Sequence, residues 1–281
     1  MQHNAVCPSG SPAATGKMEQ LLLQSAFVPS LEHATEFAWS ASIARARGVY
    51  GFNSMDARSR SFNLIRAKLV ALQRERNWRM LGIVSATPGV GKSFVSASLA
   101  AAMSRDPRYS TTLVDLDLRR GTIKNIFGIE PEFGLAHYLE SFDPGAVIPA
   151  FRPQGEDLVI VPSVPANLHS AELLASGRAV QMLRALRASD ERNFFFFDLP
   201  PVYANDDAST TLDHLDGYLF VAEEGRTTQQ EVESAIEMLG HNRLAGVVLN
   251  KYRGGLVSEG RGIEERYASD YYARDEDEGA G

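Results

Sequence analysis

The sequence is short of cysteine and of long apolar runs. Cys7 is the only cysteine in 281 residues, so no disulfide can form within the chain, and we expect a reducing, cytoplasmic compartment. No apolar run approaches the roughly 20 residues that a membrane-spanning helix needs. The first residues show neither a basic start nor an apolar stretch, which argues against a secretory signal. We therefore expect membrane contact only through a partner or a surface.

Histidines at metal-ligand spacing are also lacking. The six histidines are scattered along the chain, which argues against a metal hydrolase with imidazole ligands. They are His3, His33, His137, His169, His214 and His241.

Charge is unevenly distributed. Residues 40–80 hold nine basic and two acidic side chains, whereas residues 264–281 hold seven acidic and two basic ones. The basic segment has no recognised nucleic-acid motif, so we expect no nucleic-acid partner. Both segments fit either solvated ends or contact with another chain.

Short apolar runs alternate with helix-like segments from residue 60 onwards. Runs that are apolar on both faces and separated by helices predict an α/β fold with a mainly parallel sheet. The predicted strands are 79–85, 111–116, 157–162, 193–198, 216–222 and 244–250. The predicted helices are 61–75, 92–104, 171–188 and 228–240.

Three regions are expected along the chain. Residues 1–55 read as a flexible N-terminal segment with room for a short helix within 31–47. Residues 56–255 hold the alternating pattern and form the predicted nucleotide-binding domain. Residues 256–281 form a flexible acidic tail that contains tyrosines.

A glycine-rich turn, SATPGVGKS at residues 85–93, follows the first predicted strand. Its spacing matches the P-loop, with Ala86 where the first glycine usually stands. Gly89 and Gly91 allow backbone N–H groups to converge on phosphate, and the next helix directs its positive end there. Lys92 would contact the β and γ phosphates, and Ser93 would hold Mg²⁺.

The predicted nucleotide-binding residues are Pro88, Gly89, Val90, Gly91, Lys92, Ser93 and Phe94. The turn and the alternation together predict a three-layer P-loop NTPase, its mainly parallel central sheet flanked by helices on both faces.

Acidic residues end two other apolar runs. In NFFFFDLPP, Asp198 stands where the Walker B acid orients Mg²⁺. In LVDLDLRR, Asp115 and Asp117 share one strand face because they are two residues apart. Like charges this close are costly unless a cation neutralises them, so we expect Mg²⁺ and Lys92 beside them. The alternative is that Asp117 caps the following turn or pairs with Arg119.

These three motifs, in this order, resemble Walker A, Walker A′ and Walker B of the bacterial tyrosine kinases of capsule and exopolysaccharide systems. The resemblance covers residues 56–252 and includes the later segments at 158–176 and 217–252. It implies a P-loop kinase domain, unrelated to eukaryotic protein kinases, that uses ATP and Mg²⁺. Such a domain transfers the γ-phosphoryl group to tyrosines of its own C-terminal tail.

The resemblance also implies residue roles. Lys92, Asp115, Asp117 and Asp198 are the implied catalytic residues, and one acid of the 115/117 pair would draw a proton from the incoming tyrosine. We favour Asp117 over Asp115. The implied Mg²⁺ set is Ser93, Asp115, Asp117 and Asp198.

Two further sites follow from the resemblance. Asn250 matches a position that contacts adenine in related ATPases, although an asparagine that caps a turn at a strand end fits nearly as well. The implied phospho-acceptors are Tyr267, Tyr271 and Tyr272, the alternative being incidental tyrosines in a solvated acidic tail.

Partners are implied as well. The family pattern E-x-x-R-x-x-R, used in ring assembly, is replaced by Arg60, Asn63 and Arg66, so we expect self-association without predicting its form. A separate membrane-spanning chain-length regulator, or co-polymerase, would activate the kinase and recruit it to the inner membrane face. A cognate phosphatase is a further implied partner. The basic stretch at 45–79 would dock the regulator or an anionic membrane surface.

Two rival functions remain open. A partition or division-site ATPase has a second lysine just after the first P-loop position, where this chain has Thr87. A regulatory ATP-binding subunit of the polysaccharide machinery, with little kinase activity, would account for Ala86 and the altered helix pattern.

Overall fold

The central sheet is built from strands that are buried on both faces. Residues 194–197 are four fully buried phenylalanines, and alternate members point to opposite faces because strand side chains alternate. Phe195 and Phe197 join one hydrophobic cluster, and Phe194 and Phe196 join the other. The sheet therefore separates two cores.

The computed structural model describes residues 28–143, 145–165, 170–204 and 207–252. The strands in these ranges are β1 (Thr35–Phe37), β2 (Met80–Val84), β3 (Ser110–Asp115), β4 (Phe151–Pro153), β5 (Leu158–Val161), β6 (Asn193–Asp198), β7 (Gly217–Glu223) and β8 (Leu244–Asn250). They form one sheet in the order β1-β4-β5-β3-β6-β2-β7-β8. Neighbouring strands are parallel except for β4 and β5, which are antiparallel.

Helices cover both faces of this sheet. They are α1 (Ala41–Arg47), α2 (Arg60–Arg76), α3 (Lys92–Ser104), α4 (Ile123–Phe127), α5 (Leu135–Glu140), α6 (Ser170–Leu174), α7 (Gly177–Ala188), α8 (Asp207–Leu212) and α9 (Gln229–Leu239). Leu69 of α2 and Leu99 of α3 pack in one core, and Met182 of α7 and Ile236 of α9 pack in the other. The predicted three-layer architecture is confirmed.

Most predicted elements form, with two exceptions. The six apolar runs become β2, β3, β5, β6, β7 and β8, but β1 and β4 were not predicted because each has only three residues. The single helix predicted at 171–188 is wrong, since α6 and α7 are separate. Ser176 begins the second helix, and its side chain accepts a hydrogen bond from the Ala179 N–H at 3.2 Å.

The N-terminal part of the described chain differs from the flexible segment predicted for 1–55. Trp39 is buried and packs against the Phe127 ring, with centroids 5.4 Å apart. Gly51 lies so close to α3 that a Cβ there would stand 1.9 Å from the Ser98 carbonyl oxygen. Residues 28–55 therefore pack as part of the folded unit, because their aromatic side chains complete the core on that face.

The chain divides after the last strand. One compact unit ends at Asn250, and the second is Lys251–Gly281. Only Lys251 and Tyr252 of that second unit are described, so the predicted tail with its tyrosines lies outside the described residues. Within the described ranges, no helix has the length and apolarity that a membrane crossing requires.

Candidate nucleotide site

The P-loop lies at the carboxyl end of β2, just before α3. Gly89 and Gly91 have positive φ angles of 84° and 88°, which glycine adopts at little cost. Ala86 has no positive φ, its side chain is buried in the core, and its carbonyl accepts from the Tyr203 N–H at 3.2 Å. The alanine is accommodated by packing, and the loop keeps the two glycine turns on which the predicted convergence of N–H groups depends.

Asp198 ends β6 beside this loop and receives three side-chain donors. Lys92 Nζ donates to Oδ1 at 2.8 Å, and Ser96 Oγ donates to the same oxygen at 2.8 Å. Ser93 Oγ donates to Oδ2 at 2.6 Å. The Asp198 side chain is fully buried and that of Lys92 is 7% exposed. A buried charge pair is stable only when such additional hydrogen bonds satisfy it.

Asp115 ends the neighbouring strand β3 and lies directly opposite Asp198 in the register. It is fully buried, and its two oxygens accept from the Asp117 and Ile123 backbone N–H groups at 3.2 and 3.1 Å. Burial, together with the negative charge of Asp198, raises the pKa of Asp115 well above its ordinary value. This carboxylate therefore organises the turn that leads from β3 into α4.

Asp117 lies on the same turn and is 5% exposed. Burial is the main cause that raises the pKa of its carboxyl, and the positive charge of Lys92 opposes the shift. Its backbone carbonyl accepts from the Arg120 and Gly121 N–H groups at 3.1 and 2.8 Å. Arg119, the alternative partner, instead donates from Nε to Ser170 Oγ at 2.8 Å.

The opposite flank of the P-loop contacts the end of the sheet at β7 and β8. Asn250 donates from Nδ2 to the Val90 carbonyl at 2.8 Å, so it ties β8 to the loop. The Arg226 guanidinium lies against Gly89, where an added Cβ would stand 3.2 Å from Nη1. Nη1 of Arg226 also pairs with Glu223 Oε2 at 3.2 Å.

Three residues of this site were not predicted from the sequence, namely Ser96, Thr122 and Arg226. Ser96 and Ser93 lie three apart on α3 and therefore share a face, a signal that was present in the sequence. Thr122, whose Oγ1 lies 2.8 Å from Ser93 Oγ, is far away along the chain, as is Arg226. No spacing rule connects either of them with the P-loop.

The side-chain oxygens of the site are suitable ligands for a Mg²⁺ ion that binds together with a nucleotide. Ser93, Asp115, Asp117 and Asp198 provide hydroxyl and carboxylate oxygens, the ligands that Mg²⁺ prefers. In the ranges that the structure describes, no three His, Cys, Asp or Glu side chains are grouped so as to hold a metal ion by themselves. Mg²⁺ commonly keeps water and takes substrate phosphates rather than a complete protein cage, so the residues fit it.

Two of the three residues that replace the E-x-x-R-x-x-R pattern make contacts within the chain. Arg66 donates from Nη1 to the Ala102 carbonyl of α3 at 3.2 Å. Asn63 accepts from Arg105, the residue that follows α3. Both side chains thus contribute to packing between α2 and α3, while Arg60 is exposed.

The fold and the loop geometry define an α/β P-loop nucleotide-binding domain. Residues 81–272 match the model of the CobQ/CobB/MinD/ParA nucleotide binding domain. The chain belongs to this family of nucleotide-binding domains. Its resemblance to bacterial tyrosine kinases is also confirmed by its curated relatives.

Two of these relatives illustrate the relation. Tyrosine-protein kinase Etk of Escherichia coli (strain K12) is 33% identical over 202 residues, which is 70% of this chain and 27% of Etk. Tyrosine-protein kinase YwqD of Bacillus subtilis (strain 168) is 28% identical over 195 residues, 68% of this chain and 80% of YwqD. The chain therefore spans about a quarter of the length of Etk and most of that of YwqD.

A solved structure shares the fold. The kinase domain of Escherichia coli tyrosine kinase ETK superposes with a TM-score of 0.63 at 24% identity. The match covers 85% of this chain and 97% of that domain.

Proposed function

We propose that this chain is a Mg²⁺- and ATP-dependent protein-tyrosine kinase domain that regulates capsule or exopolysaccharide synthesis and export. Its substrates would be the tail tyrosines Tyr267, Tyr271 and Tyr272. The observation that supports this most is the hydrogen-bonded pair of Lys92 and Asp198 at the P-loop, whose charges both act on Asp117. The curated relatives of the chain are named tyrosine kinases.

Different residues of the site would bind the phosphates and the Mg²⁺ ion during phosphoryl transfer. The amides of Gly89 and Gly91 and the start of α3 bind phosphate oxygens, and Lys92 adds a positive charge there. Ser93 and Asp198 would hold Mg²⁺, which neutralises phosphate charge when it is bound. The γ-phosphorus forms a bond to the tyrosine oxygen as its bond to the β–γ bridging oxygen breaks, which leaves ADP.

Asp117 is the proposed acceptor of the tyrosine proton. A free tyrosine hydroxyl has a pKa of about 10, so a nearby carboxylate assists its attack. A raised pKa strengthens a carboxylate as a base, and burial raises that of Asp117. Asp115 is less suited because both of its oxygens accept backbone hydrogen bonds.

Asn250 is proposed to contact adenine. It lies at the end of β8 and already donates one N–H to the P-loop at Val90, so a base held there would lie beside the loop. The hydrogen bond to Val90 equally fits a structural role. Comparing the affinities of Asn250→Ala for ADP and GDP separates the two, because only adenine contact makes the loss specific for ADP.

The proposed partners are a membrane-spanning chain-length regulator that recruits the kinase to the membrane, a second copy of the chain and a phosphatase. The basic stretch at 45–79 is a candidate docking surface, but not all of it is accessible. Arg79 is buried and donates to the Asp190 carbonyl at 3.0 Å. The exposed members are Arg45, Arg47, Arg58, Arg60, Lys68, Arg74 and Arg76.

The partition-type alternative is not favoured. Thr87 occupies the position of the second lysine, and its carbonyl accepts from Ser85 Oγ at 3.0 Å. The cation on which those ATPases depend is therefore missing from this loop.

Incubation of the full chain with γ-labelled ATP and Mg²⁺, with and without the membrane partner, tests the proposal. We expect label on the three tail tyrosines and none after Lys92→Met. Absence of label from the tail in both conditions would overturn the kinase assignment and favour a regulatory subunit.

A further inference from the structure

Three hydroxyl or ammonium groups bind one carboxylate in the nucleotide site. Lys92 and Ser96 donate to Oδ1 of Asp198, and Ser93 donates to Oδ2. Asp115 lies opposite Asp198 in the sheet register, so the carboxylate also has an acidic neighbour. The position and charge of Asp198 therefore depend on these three donors.

Two of the three donors are expected to change partners when nucleotide binds. On the function proposed above, on which this inference rests, Lys92 turns to phosphate and Ser93 to Mg²⁺. Both groups would then leave Asp198, which remains buried beside Asp115. Mg²⁺ would offset the charge of this carboxylate, but the oxygen lone pairs that it leaves uncovered are costly to bury without a donor. The site therefore needs a donor that nucleotide does not take away.

We propose that Ser96 is this donor, a positioning residue that holds Asp198 in the nucleotide-bound state. Ser96 is fully buried, and it lies one helical turn after Lys92 on α3. Its hydroxyl has a single hydrogen and two acceptors in reach, Asp198 Oδ1 at 2.8 Å and the Lys92 carbonyl at 3.1 Å. The shorter, charge-assisted contact to Asp198 is the stronger one.

The role of Ser96 can be tested by the increase in ADP affinity that Mg²⁺ produces. In the full chain, ADP binding is followed by calorimetry with Mg²⁺ and with EDTA. We expect Ser96→Ala to reduce the gain in affinity from Mg²⁺ by about tenfold, as for the loss of one hydrogen bond to a charged group. Affinity in EDTA should fall less than affinity with Mg²⁺, since Asp198 then holds no metal.

Two further variants make the test specific. Ser98→Ala removes another fully buried hydroxyl of α3, one that donates to the Gly48 carbonyl at 3.5 Å, and it should keep the full Mg²⁺ gain. Ser96→Cys keeps the packing with a weaker donor, and it should lose the gain as alanine does. It replaces Ser96→Ala in the test if that variant does not fold.

Three results would overturn the proposal. They are an equal loss with Mg²⁺ and with EDTA, no loss in either Ser96 variant, and a wild-type affinity that does not depend on Mg²⁺. ADP binding needs no tyrosine acceptor. A wild-type protein that forms no phosphotyrosine would therefore refute the kinase assignment and leave this measurement intact.

Discussion

Asp115 and Asp198 lie side by side as register partners at the last residues of β3 and β6, and both are fully buried. Their proximity helps to raise the pKa of Asp115, and the donors around them differ in kind. Asp198 is held by side chains that nucleotide can recruit, whereas Asp115 is held by the backbone N–H groups of Asp117 and Ile123. We therefore propose Asp115 as the structural acid and Asp117 as the one that takes part in the chemistry.

The first prediction separates these two acids. Asp117→Asn should abolish tyrosine phosphorylation while ADP affinity stays near that of wild type, because the amide cannot accept the tyrosine proton. Asp115→Asn should weaken both, since its NH₂ group would face a backbone N–H that now has an acceptor. Calorimetry and phosphotyrosine detection on the same preparations check this. If Asp117→Asn instead loses ADP affinity to the same extent as Asp115→Asn, the two acids are joint Mg²⁺ ligands.

The second prediction concerns the buried pair of Lys92 and Asp198. Lys92→Met leaves the carboxylate without its cation, and breaking a buried pair on one side costs about 3–5 kcal/mol. Urea denaturation should show a loss of this order in the nucleotide-free protein. The double variant with Asp198→Asn should regain part of it, because no unpaired charge then remains. A double variant no more stable than Lys92→Met would contradict the account.

The third prediction is a pH dependence at Glu156. This residue lines a cavity of about 150 Å³ whose other charged groups are Arg45 and Asp56. Burial first, then the negative charge of Asp157, raises the pKa of Glu156 from 4.5 to about 7, and Arg105 opposes the shift. The folded state therefore holds the proton more tightly than the unfolded state, so the contribution of Glu156 to stability falls as pH rises from 4.5 to about 7.

Glu156→Gln removes this dependence. Relative to the wild type, the variant should gain stability between pH 4.5 and 7 and no more above that range. Melting temperatures across pH 4–8 measure it, with Glu75→Gln on the exposed face of α2 as the control for losing one surface charge. A difference between Glu156→Gln and wild type that does not change with pH would refute the assignment.

The fourth prediction tests whether residues 28–55 belong to the folded unit. An alanine at Gly51 would place its Cβ 1.9 Å from the Ser98 carbonyl oxygen and 2.6 Å from the Ala102 nitrogen. Such overpacking costs about 1–3 kcal/mol or more. Gly177→Ala, with nothing within 4 Å of the added Cβ, should be neutral. Urea denaturation of both variants decides, and equal stability would mean that the segment does not pack on α3.

The sequence predicted the parts of the structure in which neighbouring residues act together. The P-loop is a contiguous stretch of sequence. The four consecutive phenylalanines of β6 form a short run that is apolar on both faces, which is typical of a buried strand. Both features were therefore placed correctly. The three-residue strands β1 and β4 are too short to show a period, and their pairing depends on partners far away in the chain. The break before α7 had a local signal, because Ser176 and Gly177 form a typical helix start.

The site was predicted less completely than the fold. Strand ends identified Asp115 and Asp198, but which oxygens face backbone and which face side chains depends on how the turn after β3 folds. The contact of Arg226 with Gly89 joins residues more than a hundred positions apart, so only the folded sheet brings it about.

The fate of the γ-phosphate tests the central claim most directly. Wild-type protein and the triple variant Tyr267→Phe, Tyr271→Phe, Tyr272→Phe are incubated with γ-labelled ATP and Mg²⁺, with the membrane partner present. Label on tyrosine and label released as free phosphate are then counted in the same reaction. The account predicts label on the wild-type tail that the triple variant lacks. Release of free phosphate by both proteins, with no phosphotyrosine in either, would contradict it and indicate an ATPase switch.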